Sequence, residues 1–461
     1  MNKIRSINPA TGETLKEFDV LPPAQIDEII AKADKTYKNW KKTPLLKRAA
    51  LLYKLAQVFR ENREEMAGYV TAEMGMLYGE SLGDIEYCAC IFDYYAERGE
   101  RFLADQPLDT PFGKAYNTFE PIGVILSVQP WNFPYSQAVR SLAPAIMAGN
   151  AVVLKHASNV PQSALALEKA FERANAPAGL YANIFLPGAE TSALVADKRI
   201  AGVALTGSAP AGSSLAGMAG KHIKPATLEL GGNDAFIVLE DADIDAAVEH
   251  AVFGRLYNAG QVCTAPKRII LVKNIAEEFT AKAKAICESI VIGDPMNEKT
   301  ILQPLSTENA LNRVLRQLDD NIKAGGNLIY GGKRLDRPGW FMEPALVSGM
   351  RAGMPAFQEE VFGPVIFIYE VENEAEAIEL ANDSCYGLGG SVFSKNEARA
   401  EKVARQLETG MVYINHVTGT SPELPFNGTK CSGLGRELSP DGIYSFVNKK
   451  LIRVTSPDKP Y

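Results

Sequence analysis

The chain has 461 residues, of which 46% are hydrophobic and 22% are charged, and its formal net charge is −7. This length exceeds one ordinary core, so at least two packed units are expected, and the acidic balance argues against nucleic acid as a partner. No apolar run reaches the roughly 20 residues that span a bilayer and no secretory signal is recognisable, so a cytoplasmic location is expected.

Helices and short apolar runs alternate along most of the chain. Amphipathic helices are predicted over 24–70. The strands of a first series are predicted at 122–128, 151–154, 181–186 and 203–205, with helices at 163–174 and 191–196. The strands of a second series are predicted at 235–239, 268–272, 365–369, 390–393 and 411–414, with helices at 244–258, 275–289, 308–324 and 375–382. Such alternation implies parallel sheets with right-handed crossovers, so the predicted fold class is α/β with a Rossmann-type unit.

Two further features concern the borders of this pattern. The boundary between the two α/β units is placed at Gly231 and Gly232, where a predicted strand ends. The segments 115–120 and 445–454 are predicted to be extended, with weak burial patterns. They are interpreted either as edge strands that complete a sheet in a neighbouring subunit or as ordinary surface hairpins, and the pattern leaves both open.

The six cysteines and four histidines show no spacing typical of a zinc site or a disulfide scaffold, so no metal is predicted. Free cysteines are usually small buried hydrophobes, and we expect this of Cys287, Cys385 and Cys431. Cys263 is a candidate nucleophile, because it lies between a predicted helix and a predicted strand, where a thiol can point into a cleft.

Glu229 and Asn132 can support such a nucleophile. Glu229 lies among apolar residues and glycines, where partial desolvation raises a carboxyl pKa toward that of a general base. Two prolines fix the backbone around Asn132, whose amide can donate a hydrogen bond to an oxyanion. Taken alone, each residue favours a structural role, as a strand-end carboxylate and as a turn-forming asparagine.

Five motifs occur in order along nearly the whole chain. They are PWNFP at 130–134, ELGGND at 229–234, GQVC at 260–263, EVFGP at 360–364 and SGLGRE at 432–437. Together they resemble the aldehyde dehydrogenase superfamily. The resemblance implies a Rossmann-type cofactor domain at 1–232, an α/β catalytic domain at 233–420, and a return to the cofactor domain at 421–461. It also implies a homo-oligomer, a dimer or a tetramer, joined by a small β-extension from 113–123 and the C-terminal segment.

The resemblance also implies a set of catalytic roles. Cys263 would add to an aldehyde as a thiohemiacetal and then carry a thioester, which water activated by Glu229 would hydrolyse. The Asn132 amide and the backbone N–H of Cys263 would form the oxyanion hole.

The implied cofactor is NADP or NAD. The residues expected to bind it are Trp131, Lys155, Ser158, Gly207, Ser208, Gly212, Glu360 and Phe362. A helix that begins after Ser208 can accept a pyrophosphate on its free N–H groups. Members that prefer NAD usually read KPAE where this chain reads KHAS at 155–158. Ser158 removes a negative charge that would repel a 2′-phosphate, so NADP is expected to be accepted.

Arg140 is the best guide to the substrate. It follows Asn132 by about two helical turns, and succinate semialdehyde dehydrogenases carry an arginine here, whose guanidinium binds a carboxylate. Ser421 matches a second carboxylate contact, and Tyr257 stands where some of these enzymes have another arginine. The resemblance therefore implies succinate semialdehyde as the substrate. A surface salt bridge is the other interpretation of Arg140, and glutarate semialdehyde or another short aldehyde is an alternative substrate.

Other functions remain open at this point. A variant that passes the thioester to coenzyme A can dispense with the base, so Glu229 favours hydrolysis. A cysteine esterase would act without NAD(P). A binding protein on the same fold would have lost catalysis.

Overall fold

The computed structural model describes residues 3–111 and 113–458. Its helices are α1 (Pro23–Trp40), α2 (Leu45–Glu61), α3 (Arg63–Met74), α4 (Tyr78–Phe102), α5 (Pro134–Ala148), α6 (Pro161–Arg173), α7 (Gly188–Thr191), α8 (Ala209–Lys221), α9 (Ile244–Leu256), α10 (Lys273–Ser289), α11 (Glu308–Lys323), α12 (Pro355–Gln358), α13 (Glu374–Asn382), α14 (Glu397–Ala404) and α15 (Ser439–Tyr444).

The strands are β1 (Lys3–Ile7), β2 (Thr14–Asp19), β3 (Gln106–Leu108), β4 (Lys114–Pro121), β5 (Val124–Gln129), β6 (Ala151–His156), β7 (Tyr181–Asn183), β8 (Ile200–Thr206), β9 (Ala226–Glu229), β10 (Ala235–Val238), β11 (Arg268–Val272), β12 (Asn327–Gly331), β13 (Ala345–Met350), β14 (Val365–Val371), β15 (Tyr386–Gly387), β16 (Gly390–Phe393), β17 (Tyr413–Ile414), β18 (Thr429–Lys430), β19 (Gly433–Leu434) and β20 (Val447–Val454).

The first large sheet has the strand order β19-β9-β8-β5-β6-β7. Its strands β5 to β9 run parallel, and only β19 is antiparallel to its neighbour. All residues of β6 are buried, as are all those of α5, because helices cover the sheet on its faces. The chain returns to this sheet late, at β19.

The second large sheet has the order β12-β13-β14-β11-β10-β16-β17 and is parallel except for β12. Successive residues of β10 belong to different cores. Ala235 and Ile237 pack into one hydrophobic cluster, and Phe236 and Val238 pack into another. The alternation follows from strand geometry, since neighbouring side chains point to opposite faces. Both faces are therefore covered, as the continuous apolar runs predicted.

The chain passes from the first sheet to the second between β9 and β10. The residues that connect them, 230–234, are all buried. Since parallel strands end at one edge of a sheet, this link lies where ligands bind in open α/β sheets.

The two extended segments pair with each other. β20 runs antiparallel to β4 from Val447 opposite Pro121 to Val454 opposite Lys114, and β3 pairs with the other side of β4. The result is a separate three-stranded sheet, β20-β4-β3. Its strand β20 exposes 60% of Leu451 and 55% of Val454.

Two predictions about burial need correction. Cys385 and Cys431 are exposed, and only Cys287 of the three is buried. Both exposed cysteines flank the short ladder β15-β18, whose residues Thr429 and Lys430 are exposed as well. Over residues 3–111 and 113–458, no helix has the length and apolar character needed to cross a membrane.

Candidate active site

A strained loop carries Cys263. Between α9 and β11, the consecutive residues Asn258, Ala259 and Gly260 have φ values of 48°, 52° and 73°. Non-glycine residues are uncommon in this region, and such strain is often found at functional sites. A Cβ at Gly260 would lie 2.3 Å from the carbonyl oxygen of Gly363, so a larger residue cannot replace it without displacing the loop.

The Lys267 ammonium donates hydrogen bonds to the backbone of the loop that contains Cys263. Its Nζ donates to the carbonyl oxygen of Cys263 at 2.5 Å and to that of Val262 at 3.0 Å. The same ammonium lies 3.2 Å from the Glu360 carboxylate, and only 2% of the lysine side chain is exposed. A buried ammonium needs such partners. Lys267 therefore ties the loop of the nucleophile to the EVFGP segment.

Cys263 lies between two cavities. A larger one, of about 670 Å³, lies on one side of the thiol, and a smaller one, of about 210 Å³, lies on the other. Cys263 and Gln137 line both. Burial, and next the Glu229 carboxylate, raise the pKa of the Cys263 thiol well above its usual value. A substrate in one cavity and a cofactor in the other would both reach this sulfur.

Glu229 lines the smaller cavity at the end of β9. Only 1% of the residue is exposed, and neither carboxylate oxygen has a hydrogen-bond partner among the residues that the structure describes. The pKa of Glu229 is raised to about 8. Burial is the main cause, the charge of Glu437 also raises this pKa, and the charge of Arg140 partly offsets both by lowering it. A carboxyl with free oxygens and a pKa near the working pH is suited to general-base catalysis.

The Asn132 amide contacts the loop of the nucleophile. Its Nδ2 donates to the carbonyl oxygen of Gln261 at 3.0 Å, and its backbone oxygen accepts a hydrogen bond from Asn258 Nδ2 at 2.8 Å. An amide nitrogen carries two N–H donors, so one remains for an oxyanion at the Cys263 sulfur. The structure thus brings Cys263, Glu229 and Asn132 together, as the motifs predicted.

Two aromatic rings and a carboxylate line the smaller cavity. Trp131 and Phe362 meet edge to face, with ring centroids 5.8 Å apart. Glu360 Oε1 accepts a hydrogen bond from the backbone N–H of Gly232 at 3.2 Å. A Cβ at Gly231 would lie 2.1 Å from Glu360 Oε2, so a larger residue here would displace the Glu360 carboxylate. Flat aromatic walls and a carboxylate suit a ring and its ribose hydroxyls.

The residues that precede α8 form part of the wall of the smaller cavity. Gly207, Ser208 and the exposed Arg313 lie in its wall. Ser208 is the N-cap residue and its hydroxyl makes no capping hydrogen bond, so the first N–H groups of α8 are free for an anion. Gly212 does not reach the cavity wall. A Cβ there would meet Leu230 at 2.6 Å, so this glycine permits helix packing.

Lys155 and Ser158 lie at the end of β6. Lys155 is buried, and burial lowers the pKa of its ammonium. Ser158 is exposed in the turn that follows the strand. Neither residue lines the smaller cavity.

Arg140 lies in the wall of the larger cavity, and its surroundings fix the guanidinium. Nη2 lies 2.7 Å from Glu437 Oε2, Nη1 donates to Gln137 Oε1 at 2.9 Å, and the guanidinium carbon lies 3.9 Å from the centroid of the Phe426 ring. Only 4% of the Arg140 side chain is exposed. The arginine does form a salt bridge, as the alternative interpretation held, but the pair is buried and not at the surface.

The other two predicted substrate residues differ in position. Tyr257 lines the larger cavity, and its ring centroid is 5.8 Å from that of Phe133. Ser421 is not part of the cavity wall, since its hydroxyl bonds the exposed carboxylate of Glu423. The preceding residue, Thr420, lines the cavity instead, and its hydroxyl lies 2.6 Å from that of Tyr87.

Sequence reasoning assigned no role to three residues that complete the site, Gln137, Lys267 and Glu437. Glu437 is the last residue of the SGLGRE motif, which marks it as a residue of interest. Its ion-pair partner could not be predicted, because Arg140 is nearly three hundred residues away along the chain. Gln137 lies one helical turn before Arg140, and that spacing could have indicated it.

The comparisons with known proteins agree with this geometry. The profile described as "Aldehyde dehydrogenase family" matches residues 1–452. The succinate-semialdehyde dehydrogenase [NADP(+)] of Deinococcus radiodurans is 44% identical over 97% of this chain and 94% of that protein. The succinate-semialdehyde dehydrogenase [NADP(+)] 1 of Mycobacterium tuberculosis is 42% identical over 97% of this chain and 99% of that protein.

A solved structure is equally similar. The crystal structure of succinic semialdehyde dehydrogenase from Streptococcus pyogenes, in complex with NADP+ as the cofactor, has a TM-score of 0.97 and 44% identity, over 98% of this chain and 100% of that one. The chain therefore belongs to the aldehyde dehydrogenase family. Its fold, with a Rossmann-type sheet and a second α/β unit, is the fold of that family.

Proposed function

We propose that this enzyme oxidises succinate semialdehyde to succinate with NADP+. The observation that carries the proposal is the position of Arg140, whose guanidinium lies in the wall of the same cavity as Cys263. A guanidinium is a strong partner for a carboxylate. An aldehyde with a carboxylate at its far end would thus be held at both ends. The relatives named succinate-semialdehyde dehydrogenase [NADP(+)] support this substrate.

The fixed orientation of Arg140 strengthens the proposal. Gln137, Glu437 and Phe426 hold the guanidinium on two edges and one face. Its Nε has no hydrogen-bond partner among the described residues, so this N–H is available to donate a hydrogen bond. The hydroxyl groups of Tyr87 and Thr420 in the same wall share one hydrogen bond, so one O–H of the pair can donate to the second carboxylate oxygen.

NADP+ is supported by groups at the end of β6 and by one cation in the wall of the smaller cavity. When bound, it accepts the two electrons of the oxidation as a hydride. Ser158 leaves the turn after β6 without a carboxylate, and the nearby Lys155 supplies a positive charge. Arg313 adds a second cation at the cavity wall. These charges favour a dinucleotide with an additional phosphate.

The residues of this chain divide the chemistry between them. The Cys263 sulfur adds to the aldehyde carbon while its proton passes to Glu229, whose oxygens are free. Asn132 and the Cys263 backbone N–H stabilise the oxyanion. Loss of hydride leaves a thioester on Cys263. Glu229 passes the thiol proton to solvent, so that its carboxylate is free again, and then takes a proton from the attacking water. The C–S bond breaks, this proton returns to the Cys263 sulfur, and the carboxylic acid leaves.

Glutarate semialdehyde is the second candidate, because the cavity of about 670 Å³ leaves room for a longer aldehyde. We also infer a homo-oligomer, in which the exposed Leu451 and Val454 of β20 lie in a contact between subunits.

The cytoplasm is the location that we propose for the enzyme.

The test is a comparison of initial rates for a panel of aldehydes with each cofactor. The expected result is a higher kcat/KM for succinate semialdehyde than for glutarate semialdehyde, and for both than for butanal, with NADP+ preferred to NAD+. A higher kcat/KM for butanal would contradict the proposed substrate. A strong preference for NAD+ would contradict the proposed cofactor.

A further inference from the structure

Cys385 and Cys431 flank the two short strands β15 and β18, on the same side of the ladder. The antiparallel ladder pairs Tyr386 with Lys430 and Gly387 with Thr429. The same register, continued by one residue, would place Cys385 opposite Cys431. A hydrogen bond of 2.9 Å from the backbone N–H of Cys431 to the carbonyl oxygen of Cys385 brings the two residues together, and Lys430, with a φ of 52°, turns the chain at this point.

This arrangement meets the geometric needs of a disulfide. The backbone hydrogen bond keeps Cys385 and Cys431 adjacent, and a disulfide spans Cα separations of about 4.4–6.8 Å. Both residues are exposed, so a small oxidant reaches them. The Cys431 side chain, second to burial, raises the pKa of the Cys385 thiol, as expected for two close sulfur atoms, and Lys430 lowers it.

We propose that Cys385 and Cys431 form an oxidation site, separate from the catalytic thiol, that closes to a disulfide. The oxidant is a small disulfide such as oxidised glutathione. One thiolate attacks a sulfur of that disulfide and releases a thiol, which leaves a mixed disulfide on the protein. The second protein thiolate attacks the protein-bound sulfur and releases the second thiol. The protein loses two electrons and two protons, and the small disulfide gains both.

The site is connected to the cofactor cavity through Ser432. This buried serine follows Cys431. Its hydroxyl accepts a hydrogen bond from the N–H of Gly387 at 3.0 Å and donates to the carbonyl oxygen of Gly231 at 2.7 Å. Glu360 packs directly against Gly231. A disulfide draws opposed Cβ atoms to about 3.8 Å, closer than the about 4.5–5.5 Å of an ordinary pair. Closure would therefore shift Ser432 and weaken cofactor binding.

The experiment treats the full-length enzyme with oxidised glutathione and maps its peptides without reduction. The expected product is a cross-linked pair of peptides that contain Cys385 and Cys431. The half-buried Cys90 has no opposed cysteine and is the control within the chain, since it stops at the mixed disulfide. Cys385→Ser and Cys431→Ser enzymes are the matched variants, and each should retain glutathione on its remaining thiol. Stable glutathione on both residues of the wild type would overturn the proposal.

A separate measurement tests whether the disulfide weakens cofactor binding. The KM for NADP+ should rise in the oxidised wild-type enzyme, return to its starting value after reduction with dithiothreitol, and stay constant in Cys385→Ser under the same treatment. A cross-link that leaves the KM for NADP+ unchanged would overturn the coupling through Ser432. Since the peptide map does not depend on any substrate, this test is independent of the proposed aldehyde.

Discussion

Arg140 and Glu437 form a buried ion pair, with Nη2 and Oε2 2.7 Å apart and 4% and 3% of the side chains exposed. The pair belongs to the same site as Glu229, since Arg140 lowers and Glu437 raises the pKa of that base. Glu437 therefore compensates the charge of the arginine and also affects the base. The arginine that we propose to bind the substrate is thus part of the electrostatics of hydrolysis.

The stability of the protein should depend on this pair as a unit. Arg140→Met leaves Glu437 buried without its partner, which should lower the free energy of unfolding by about 3–5 kcal/mol. The double variant Arg140→Met/Glu437→Met removes both charges and should be close to the wild type, because two apolar side chains need no partners. Urea unfolding of the three proteins measures this. A double variant less stable than the single one would contradict the account.

The pH dependence of hydrolysis should follow Glu229. Its carboxylate is the active form and its pKa is about 8, so kcat should rise with pH through this region when thioester hydrolysis limits the rate. Glu437→Gln removes a negative charge that raises this pKa, so the rise should move to lower pH. Pre-steady-state measurement of hydrolysis across pH tests the direction. A shift to higher pH would show that Glu437 does not act on Glu229 in this way.

Glu229→Gln should separate the two halves of the reaction. The amide cannot deprotonate water, so steady-state turnover should fall by roughly 10²- to 10⁴-fold, while the thioester still forms on Cys263 wherever another group takes the thiol proton. A stopped-flow trace should then show a burst of NADPH close to one per subunit. Cys263→Ala is the control and should give no burst. Full steady-state activity in Glu229→Gln would remove this residue from the role of base.

The alternating strands could be predicted from the sequence, and so could the residues that we propose to act in catalysis. The contacts around Arg140 in the larger cavity could not. Continuous apolar runs identified the buried strands, and Cys263, Glu229 and Asn132 occur in distinct motifs. The partner of Arg140 could not be predicted, because no local pattern relates residues that tertiary packing brings together. Ser421 was predicted as a carboxylate contact, whereas Thr420 beside it lines the larger cavity; the direction of a side chain in an irregular loop depends on backbone angles that composition does not fix.

Cofactor choice should respond to the charge at position 158. Ser158→Glu places a carboxylate in the turn after β6, where it would repel a 2′-phosphate, so kcat/KM with NADP+ should fall by about tenfold or more for a repulsion of 1.4 kcal/mol or greater. The value with NAD+ should stay equal or rise. Ser158→Gln is the neutral control of similar size. Equal losses in both variants would indicate an effect of bulk and not of charge.

The central claim is that Arg140 selects an aldehyde that bears a carboxylate. The most direct measurement is kcat/KM for succinate semialdehyde and for butanal in the wild type and in the stable double variant Arg140→Met/Glu437→Met. Loss of a desolvated ion pair with the substrate should cost about 2–3 kcal/mol, or roughly 30- to 150-fold, for the semialdehyde, with little change for butanal. An equal change for both aldehydes would contradict the claim.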